Sequence, residues 1–383
     1  MELRDYYLWF SCISGIELSE KYKLINIFET PEGVWSASEK TFEQLGINSR
    51  IISVVKESKR NFDINKVKNR MFKENVRYVS KTDANYPEKL LEIEYTPLGL
   101  FYKGELPREN IPTVAVIGSR ICSEYGKNIT YKLVKELAES GVQIVSGLAM
   151  GIDGHAHRAA LSVNGSTFGI LGTGLDKIYP KENSDIYYEM YDKGGVISEY
   201  YFDTFPLKTH FPERNRIIAG LSDSLLVVEA KKKSGTMITT DKALEQGKDV
   251  FVVPGRIGDI LSEGCLKLAR QGASLILSSN DIAFSLKDKY PEWINYDKDN
   301  NGQYSFLANN KSDKIVNFLS TGKIRLEKVE RIVYALLSFK PKHFEQLIIE
   351  SGLEYFIVID VINALCKKGL AIESSPEYYV KSN

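Results

Sequence analysis

The side chains best suited to chemistry in this 383-residue chain are Arg214, Asn215 and Arg216. They lie within Phe211–Ser222, at the start of an apolar run with helical character. Guanidinium groups bind phosphate through paired hydrogen bonds, and a helix N-terminus favours the same anions. The stretch therefore predicts an anion site in which Asn215 caps the helix. The two arginines project in opposite directions if the run is strictly helical, so one is structural and the other faces the ligand. The sequence leaves open which.

Gly235 and Thr236 mark a second candidate anion site. They belong to Ser234–Thr240, a turn of small residues and hydroxyl groups that opens another predicted helix. The basic run Lys231–Lys233 precedes it. A lysine triplet is usually a solvated loop, but beside an anion site it is equally compatible with phosphate contact. No obvious catalytic base accompanies either stretch, so binding without chemistry is the favoured interpretation.

Gly118, Ser119 and Arg120 follow the buried apolar run Val114–Ile117. Gly118 allows a ligand to approach the backbone closely, and Arg120 can hold a phosphate with two hydrogen bonds. The alternative is a tight turn between a strand and a helix with a solvated arginine. The pattern is not GxGxxG, and no acidic residue stands where a ribose would be bound, which argues against NAD.

Lys177 and Lys181 supply two more cations within Leu171–Asn183. Both can contact a nucleic-acid backbone, while Tyr179 between them offers a stacking face. Asp176 is interpreted as a turn cap. This segment therefore predicts a further part of the same binding surface.

Metal and cofactor sites are not predicted. His155 and His157 are two residues apart, so on a helix they face different directions, and no carboxylate completes a ligand set. Asp297–Gly302 copies the first half of a calcium-binding loop, but Ala308 stands where the bidentate glutamate belongs. The histidines are therefore interpreted as structural, and calcium is rejected.

The segments around these motifs predict a parallel sheet covered by helices on both faces. Short β-branched runs, separated mostly by helical segments, are Thr113–Ile117, Val142–Val145, Thr167–Leu171, Val196–Ser198, Leu225–Val228, Val250–Val253 and Ser274–Leu277. This alternation is typical of an α/β fold. Ligands of such sheets bind beyond the carboxyl ends of the strands, where the candidate residues lie.

Four regions differ in pattern along the chain. Residues 1–110 are mostly helical and end in a loop-rich connector, whereas 111–286 hold the α/β core. Residues 287–322 are polar and predict a linker. Residues 323–383 give three helical runs followed by two β segments, an order that suits a winged helix.

Composition sets broader limits on function. The chain is 43% hydrophobic and 26% charged with a formal net charge of zero, so phosphate binding depends on a local cluster. No apolar run reaches the ~18 residues of a membrane span. The four cysteines are far apart and never form CxxC, as expected in a reducing cytosol. A cytoplasmic protein without a membrane segment is predicted.

The ordered motifs between Tyr95 and Leu277 resemble the DNA-processing protein A family, also called DprA or Smf. They include VIGSR, GTGLDKIYP, FPERNRIIAGLS and VFVVPG. The helical N-terminal region looks like the sterile-alpha-motif-like (SAM-like) domain of many members, and the C-terminal region looks like their winged helix. Leu266 departs from the asparagine that the family often has.

The resemblance implies an extended Rossmann-like core that binds single-stranded DNA, dimerises and delivers the RecA recombinase to that DNA during natural transformation (competence). The predicted function is non-enzymatic and uses no cofactor, because it needs only phosphate neutralisation and some stacking. By position, the DNA-binding residues would be Gly118, Ser119, Arg120, Lys177, Lys181, Arg214, Asn215 and Arg216. Gly235 and Thr236 are added on the helix N-terminus argument alone.

Two alternatives stay open. Related Rossmann-like phosphoribohydrolases carry Gly-Gly-x-Gly-Thr-x-x-Glu, but here Thr239 stands in the place of the catalytic glutamate, which argues against a nucleotide hydrolase. A transcription-type regulator would use the winged helix. Its candidate recognition helix, Glu354–Lys368, is largely apolar, with basic residues only at Lys367 and Lys368. A major-groove reader needs polar side chains, so this module is interpreted as a protein-contact or self-association element.

Overall fold

The computed structural model describes residues 1–297, 303–306, 333–334, 336–338, 341–353, 355–368, 370–375 and 377–381. The chain divides into two compact units, Met1–Asn309 and Asn310–Asn383, and each is treated by itself. Within these described ranges, no helix combines the length and the apolar character needed to cross a bilayer.

Six helices open the first unit and enclose an apolar core of their own. They are α1 (Leu3–Cys12), α2 (Leu18–Phe28), α3 (Pro31–Ser36), α4 (Glu39–Gln44), α5 (Ser49–Asn61) and α6 (Ile64–Lys73). The side chains of Thr30, Ser38 and Asp63 accept hydrogen bonds from the first turns of α3, α4 and α6. Trp9 and Phe10 lie at the centre of the cluster, each 1% exposed. The predicted helical character of this region is confirmed for residues 3–73.

A nine-stranded sheet follows. Its strands are β1 (Arg77–Ser80), β2 (Gly99–Gly104), β3 (Thr113–Ile117), β4 (Gln143–Ser146), β5 (Thr167–Leu171), β6 (Gly194–Ser198), β7 (Ser224–Val227), β8 (Asp249–Val252) and β9 (Ser274–Leu275). Their order across the sheet is β1-β2-β6-β5-β4-β3-β7-β8-β9. The strands from β3 to β9 are parallel to one another, whereas β2 is antiparallel to both β1 and β6. The predicted α/β fold with a parallel core is confirmed.

Helices cover both faces of this sheet. They are α7 (Glu124–Glu139), α8 (Ile152–Leu161), α9 (Ser184–Lys193), α10 (His210–Leu221), α11 (Gly235–Glu245), α12 (Glu263–Arg270) and α13 (Asn280–Leu286). Alternate residues of a strand point to opposite faces. Accordingly, Ala115 belongs to the apolar cluster that contains Ile217 of α10, while Val114 belongs to the cluster that contains Leu133 of α7.

The strand order reverses at β3. From β3 the chain adds β4, β5 and β6 on one side, and it then crosses back to add β7, β8 and β9 on the other. A crevice forms outside the carboxyl ends of the strands at such a switch point, and ligands of α/β sheets bind there. The fold therefore directs attention to the loops after β3, β4 and β7.

Two strands lie where the sequence predicted only helices and a connector. β1 and β2 pair with each other, and β2 pairs with β6, so the sheet begins at residue 77 rather than within the predicted core of 111–286. Phe101 and Tyr102 of β2 are 2% and 6% exposed. The apolar run at 99–102 is therefore a buried strand.

A short hairpin occupies part of the range predicted as a linker. Its strands, β10 (Ile294–Asp297) and β11 (Gln303–Phe306), are antiparallel. Phe306 is 8% exposed and packs in the same apolar cluster as α13. Residues 298–302, which make up most of the rejected calcium loop, and residues 307–322 lie outside the described ranges.

The second unit contains α14 (Phe344–Ser351) and α15 (Tyr355–Lys367) with three short strands. The strands β12 (Lys342–His343), β13 (Ala371–Ser375) and β14 (Tyr378–Lys381) form an antiparallel sheet in the order β12-β14-β13. Val358, Ile362 and Leu365 of α15 are fully buried in its core, which explains the apolar composition of the candidate recognition helix. The winged helix and the four-domain division stay predictions, and residues 323–332 lie outside the described ranges.

Candidate functional site

Three loops meet at the carboxyl end of β3. The hydroxyl group of Thr236, at the start of α11, donates to the carbonyl oxygen of Gly118 at 3.1 Å. The amide of Ile152, at the start of α8, donates to the carbonyl oxygen of Ser119 at 3.2 Å. A Cβ atom on Gly118 would lie 2.5 Å from Ile152, so close helix packing is a sufficient reason for this glycine. The structure thus brings Gly118, Ser119 and Thr236 together at the predicted edge.

Arg120 is exposed at this edge and lies over an aromatic ring. Its guanidinium carbon is 5.5 Å from the ring centroid of Phe211, which in turn lies 5.7 Å from the ring of Tyr179. No carboxylate pairs with Arg120 in the part of the chain that the structure describes. A free cation and two neighbouring rings therefore share one surface.

Phe211 is the residue of this surface that the sequence reasoning missed. It is half-buried in the first turn of α10, three residues before Arg214. Residues three apart lie on one face of a helix, so an aromatic ring one turn before a predicted ligand arginine was a usable signal.

Arg214 is buried beneath the surface, with only 5% of its area exposed. Its Nη1 atom donates to the carbonyl oxygens of Gly147, at 2.9 Å, and of Ile170. Its Nε atom donates to the side-chain oxygen of Asn215 at 3.2 Å. Burial lowers the pKa of Arg214 to about 10, so the guanidinium stays charged at neutral pH. Arg214 thus braces the carboxyl ends of β4 and β5.

Asp153 forms the acidic counterpart of Arg214. Its carboxylate accepts a hydrogen bond from the amide of Gly147 at 3.1 Å. Burial raises the pKa of Asp153, whereas the charge of Arg214 lowers it. A Cβ atom on Gly147 would lie 2.7 Å from each of these side chains, so only glycine fits between them. The two charges hold the loop after β4 in place.

Arg216 is bonded to other groups of the protein. Its Nη2 atom donates to both carboxylate oxygens of Glu199, at 2.9 and 2.8 Å, and its Nε atom donates to the carbonyl oxygen of Tyr95. Although burial alone would lower its pKa, the charge of Glu199 raises the pKa of Arg216. Because Arg216 is only 4% exposed and its guanidinium bonds to Glu199 and to two backbone carbonyl oxygens, it has a structural role. Both arginines are therefore buried and bonded within the protein, so neither faces a ligand as the sequence predicted for one of them.

Asn215 does not cap α10 as the sequence predicted. The helix begins five residues earlier, at His210, and Thr209 precedes it without a side-chain capping bond. Asn215 is half-buried inside the helix, where its side-chain oxygen accepts the bond from Arg214. It therefore orients Arg214.

The two predicted lysines of the loop after β5 differ. Lys177 pairs with Asp176 at 2.8 Å and with Asp203 at 3.4 Å, and these bonds raise its pKa. Arg70 of α6 also pairs with Asp203. The charge of Lys177 is thereby compensated within the protein. Lys181 is exposed and forms no ion pair within the described ranges. Lys181 is thus the cation of this loop that is available to a ligand.

The start of α11 presents open donors. Gly235 is exposed, and a Cβ atom there would meet nothing within 4 Å. Ser234 precedes the helix without a side-chain capping bond, so its first N–H groups are not capped by that residue. The exposed run Lys231–Lys233 comes directly before it and forms no ion pair in the described residues. Positive charge and backbone donors coincide here.

His157 of α8 packs inside the protein. His157 is fully buried, and its Nδ1 atom shares a hydrogen bond with the hydroxyl of Thr167 at 2.7 Å. Burial lowers the pKa of His157 to about 3, so the ring is neutral. The prediction of a structural histidine is confirmed at this position.

Comparisons with known proteins bear on this arrangement. The profile of the family described as DNA recombination-mediator protein A matches residues 77–287. DNA processing protein DprA of Streptococcus pneumoniae is 48% identical over 200 residues, which are 52% of this chain and 71% of that protein. Protein Smf of Synechocystis sp. is 37% identical over 286 residues, which are 73% of this chain and 72% of that protein.

Two solved structures are also similar. The X-ray structure of DNA processing protein A from Streptococcus pneumoniae matches with a TM-score of 0.64 and 38% identity, over 74% of this chain and 98% of that one. DNA processing protein A from Helicobacter pylori, solved to describe its unique single-stranded DNA binding mode, matches with a TM-score of 0.50 and 32% identity. That match covers 56% of this chain and 97% of the other.

Proposed function

Since the chain belongs to the family of DNA recombination-mediator protein A, whose members are DNA-processing proteins, we propose that it binds single-stranded DNA at the carboxyl edge of its central sheet. A role in DNA processing follows from the family. The nature of the ligand is inferred from the site.

The observation that carries the proposal is the unpaired guanidinium of Arg120 over Phe211, with Tyr179 beside it. Single-stranded DNA presents phosphates and unstacked bases together. Proteins bind it with cations that follow the backbone and with aromatic rings on which bases stack. The combination at this edge matches both requirements, and the Helicobacter pylori relative is a protein described as binding single-stranded DNA.

Further cations extend the proposed site on both sides. Lys181 follows Tyr179, and Lys231–Lys233 precede the open N-terminus of α11. A backbone passing over Arg120 would meet a cation in either direction. Binding through phosphates and stacking tolerates any sequence and weakens with salt.

The predicted site residues take two kinds of role in this proposal. Those that line the DNA-binding edge are Gly118, Ser119, Arg120, Lys181, Gly235 and Thr236. Lys177, Arg214, Asn215 and Arg216 instead brace the elements beneath it, because their polar groups are engaged within the protein.

The finer role proposed here follows the family resemblance. The protein, acting as a homodimer in the cytoplasm, delivers RecA recombinase to incoming single strands during natural transformation. A non-enzymatic mechanism is favoured because Thr239 stands where a phosphoribohydrolase would need its glutamate. Thr239 is 3% exposed, and its hydroxyl donates to the carbonyl oxygen of Gly235.

A gel-shift titration of the purified protein tests this function. Single- and double-stranded oligonucleotides of the same sequence are compared over a salt series, with and without RecA. We expect tighter binding of the single strand, a steep salt dependence, and a slower-migrating complex when RecA is added. Equal affinity for duplex, or release of a base from a nucleoside monophosphate, would contradict the proposal.

A further inference from the structure

A second concave surface uses other residues of α10. It is a cavity of about 470 Å³ between the start of α2, residues 92–95, and one side each of α10 and α11. Phe211 of α10 belongs to the proposed DNA-binding edge, whereas Pro212, Glu213 and Arg216 line this cavity. Its size is that of a ligand-binding pocket. Its lining is mainly negatively charged, whereas the DNA-binding edge is positively charged.

The lining is acidic. Five carboxylates contribute to it, and they are Glu17, Glu92, Glu94, Glu213 and Glu245. The two cations of the lining are already paired, Arg216 with Glu199, and Lys242 with Glu245 at 2.6 Å. Glu92 and Glu94 are exposed and form no ion pair within the described ranges. Carboxylates therefore outnumber cations in the lining, and the cavity disfavours phosphate.

Apolar walls accompany the charge. Leu18, Tyr95, Pro212 and Ile238 line the cavity, and Tyr95 and Ile238 are each 40% exposed. Arginine and lysine have an apolar stem and a charged head. Such side chains can place their stems against these walls and their heads against the carboxylates.

Gln246 adds a polar side chain to the lining of the cavity. Its Nε2 atom donates to the carbonyl oxygen of Arg216 at 3.1 Å, while its Oε1 atom is buried without a hydrogen-bond donor. A metal ion does not suit the site, because in the described part of the chain no three acidic, histidine or cysteine side chains converge to hold one.

We propose that this cavity docks an arginine- or lysine-rich segment of a partner protein. A basic side chain enters between Tyr95 and Ile238, and its head reaches the carboxylates of Glu92 and Glu94. The interaction is separate from DNA binding, since the two surfaces use different residues of α10 and select opposite charges.

Peptide binding to the full-length protein tests the proposal. The probe is a fluorescently labelled peptide of alternating arginine and lysine, and its glutamate–aspartate counterpart serves as the negative control. We expect the Glu92→Gln/Glu94→Gln variant to bind the basic peptide about tenfold more weakly, as for two partly exposed ion pairs. The control variant Glu43→Gln/Glu189→Gln removes two exposed carboxylates elsewhere and should bind like the parent.

A second pair of variants tests occupation of the cavity itself. Ile238→Lys places an amine on the wall and should also weaken the peptide complex, whereas Leu244→Lys, on an exposed position of the same helix outside the lining, should not. Both substitutions add the same charge. Equal behaviour of the two would show that net charge, not the cavity, governs binding.

Three results would overturn the proposal: no binding of the basic peptide, equal weakening by both double variants, or displacement of the peptide by spermine at matched charge concentration. The last would identify a free polyamine as the ligand. Affinity for oligothymidylate, measured on the same proteins, should stay within about twofold of the parent in the two double carboxylate variants, as for changes outside that interface. Failure of peptide binding with intact DNA binding therefore refutes this inference alone.

Discussion

Replacing Arg120 with alanine removes the exposed cation over Phe211, and we expect single-stranded DNA to bind about 10- to 100-fold more weakly. A hydrogen bond to a charged group contributes roughly 1.5–3 kcal/mol, and each 1.4 kcal/mol is a factor of ten in affinity. The arginine is exposed and unpaired in the described structure, so its removal leaves no buried charge behind. The loss should be the same for every sequence, because phosphate contacts carry no sequence information.

The salt dependence of binding gives a second measure of the same contact. Each phosphate neutralised on a single strand contributes about 0.7 to the slope of log affinity against log salt. Fluorescence anisotropy with labelled oligothymidylate and a mixed-sequence oligonucleotide, over a potassium chloride series, should show the slope of Arg120→Ala reduced by about that amount.

Two further variants make the result specific. Arg60→Ala removes an exposed arginine of α5 that forms no ion pair within the described ranges, and it should bind as the parent does. Arg120→Lys keeps the charge but loses the planar guanidinium, so its affinity should lie between those of the parent and Arg120→Ala. Unchanged affinity of Arg120→Ala, or a loss confined to one sequence, would refute the assignment.

Three other variants test a stacking residue, a buried ion pair and a buried histidine. Phe211→Leu should weaken DNA binding by about 1–3 kcal/mol, as for one stacked base, without changing the salt slope; a changed slope in the anisotropy titration would contradict a stacking role. Glu199→Ala leaves Arg216 buried without its carboxylate and should lower the free energy of unfolding by roughly 3–5 kcal/mol in urea titrations, whereas the exposed Glu189→Ala should have little effect. Burial lowers the pKa of His157 to about 3 in the folded protein, below its value in the unfolded chain. The stability that His157 contributes is therefore fully present above the unfolded-chain pKa and is lost as the pH falls below it. The unfolding free energies of the parent and His157→Asn should therefore converge by about 1.4 kcal/mol per pH unit between pH 6 and 4, and a constant difference would refute the burial argument.

The parallel core was predictable because its signals are local. Runs such as Thr113–Ile117 and Thr167–Leu171 are β-branched, continuous and buried on both faces, and the strand bounds agree there at both ends. β1 and β2 gave a weaker signal, since the Arg77–Ser80 strand is short and is held by its pairing with a distant segment. Strands β2 and β6 pair although their residues are nearly a hundred positions apart in the chain. A local sequence pattern cannot predict such a distant pairing.

In the candidate site, too, some features follow from local sequence and others depend on contacts between distant segments. Exposure of Arg120 and the small-residue start of α11 follow from local sequence, and the structure has both. The engagement of Lys177 by Asp203, and of Arg216 by Glu199, depends on loops that meet only in the folded chain. A cation in a sequence motif therefore predicts a charge near the site, but only tertiary contacts decide whether that charge is free.

Helix α10 contributes residues both to the DNA-binding edge and to the acidic cavity, and it is held firmly against the sheet. Arg214 bonds to the ends of β4 and β5, and Arg216 bonds to Glu199 after β6, so both arginines fix the helix against the sheet. Tyr200 adds a further tie, because its hydroxyl donates to Glu213 while its ring stacks on His210 at 4.3 Å. A helix held on both sides cannot easily shift when a ligand binds. The DNA-binding edge and the acidic cavity should therefore fill independently, and a changed affinity for oligothymidylate in the Glu92→Gln/Glu94→Gln variant would mean that α10 couples them.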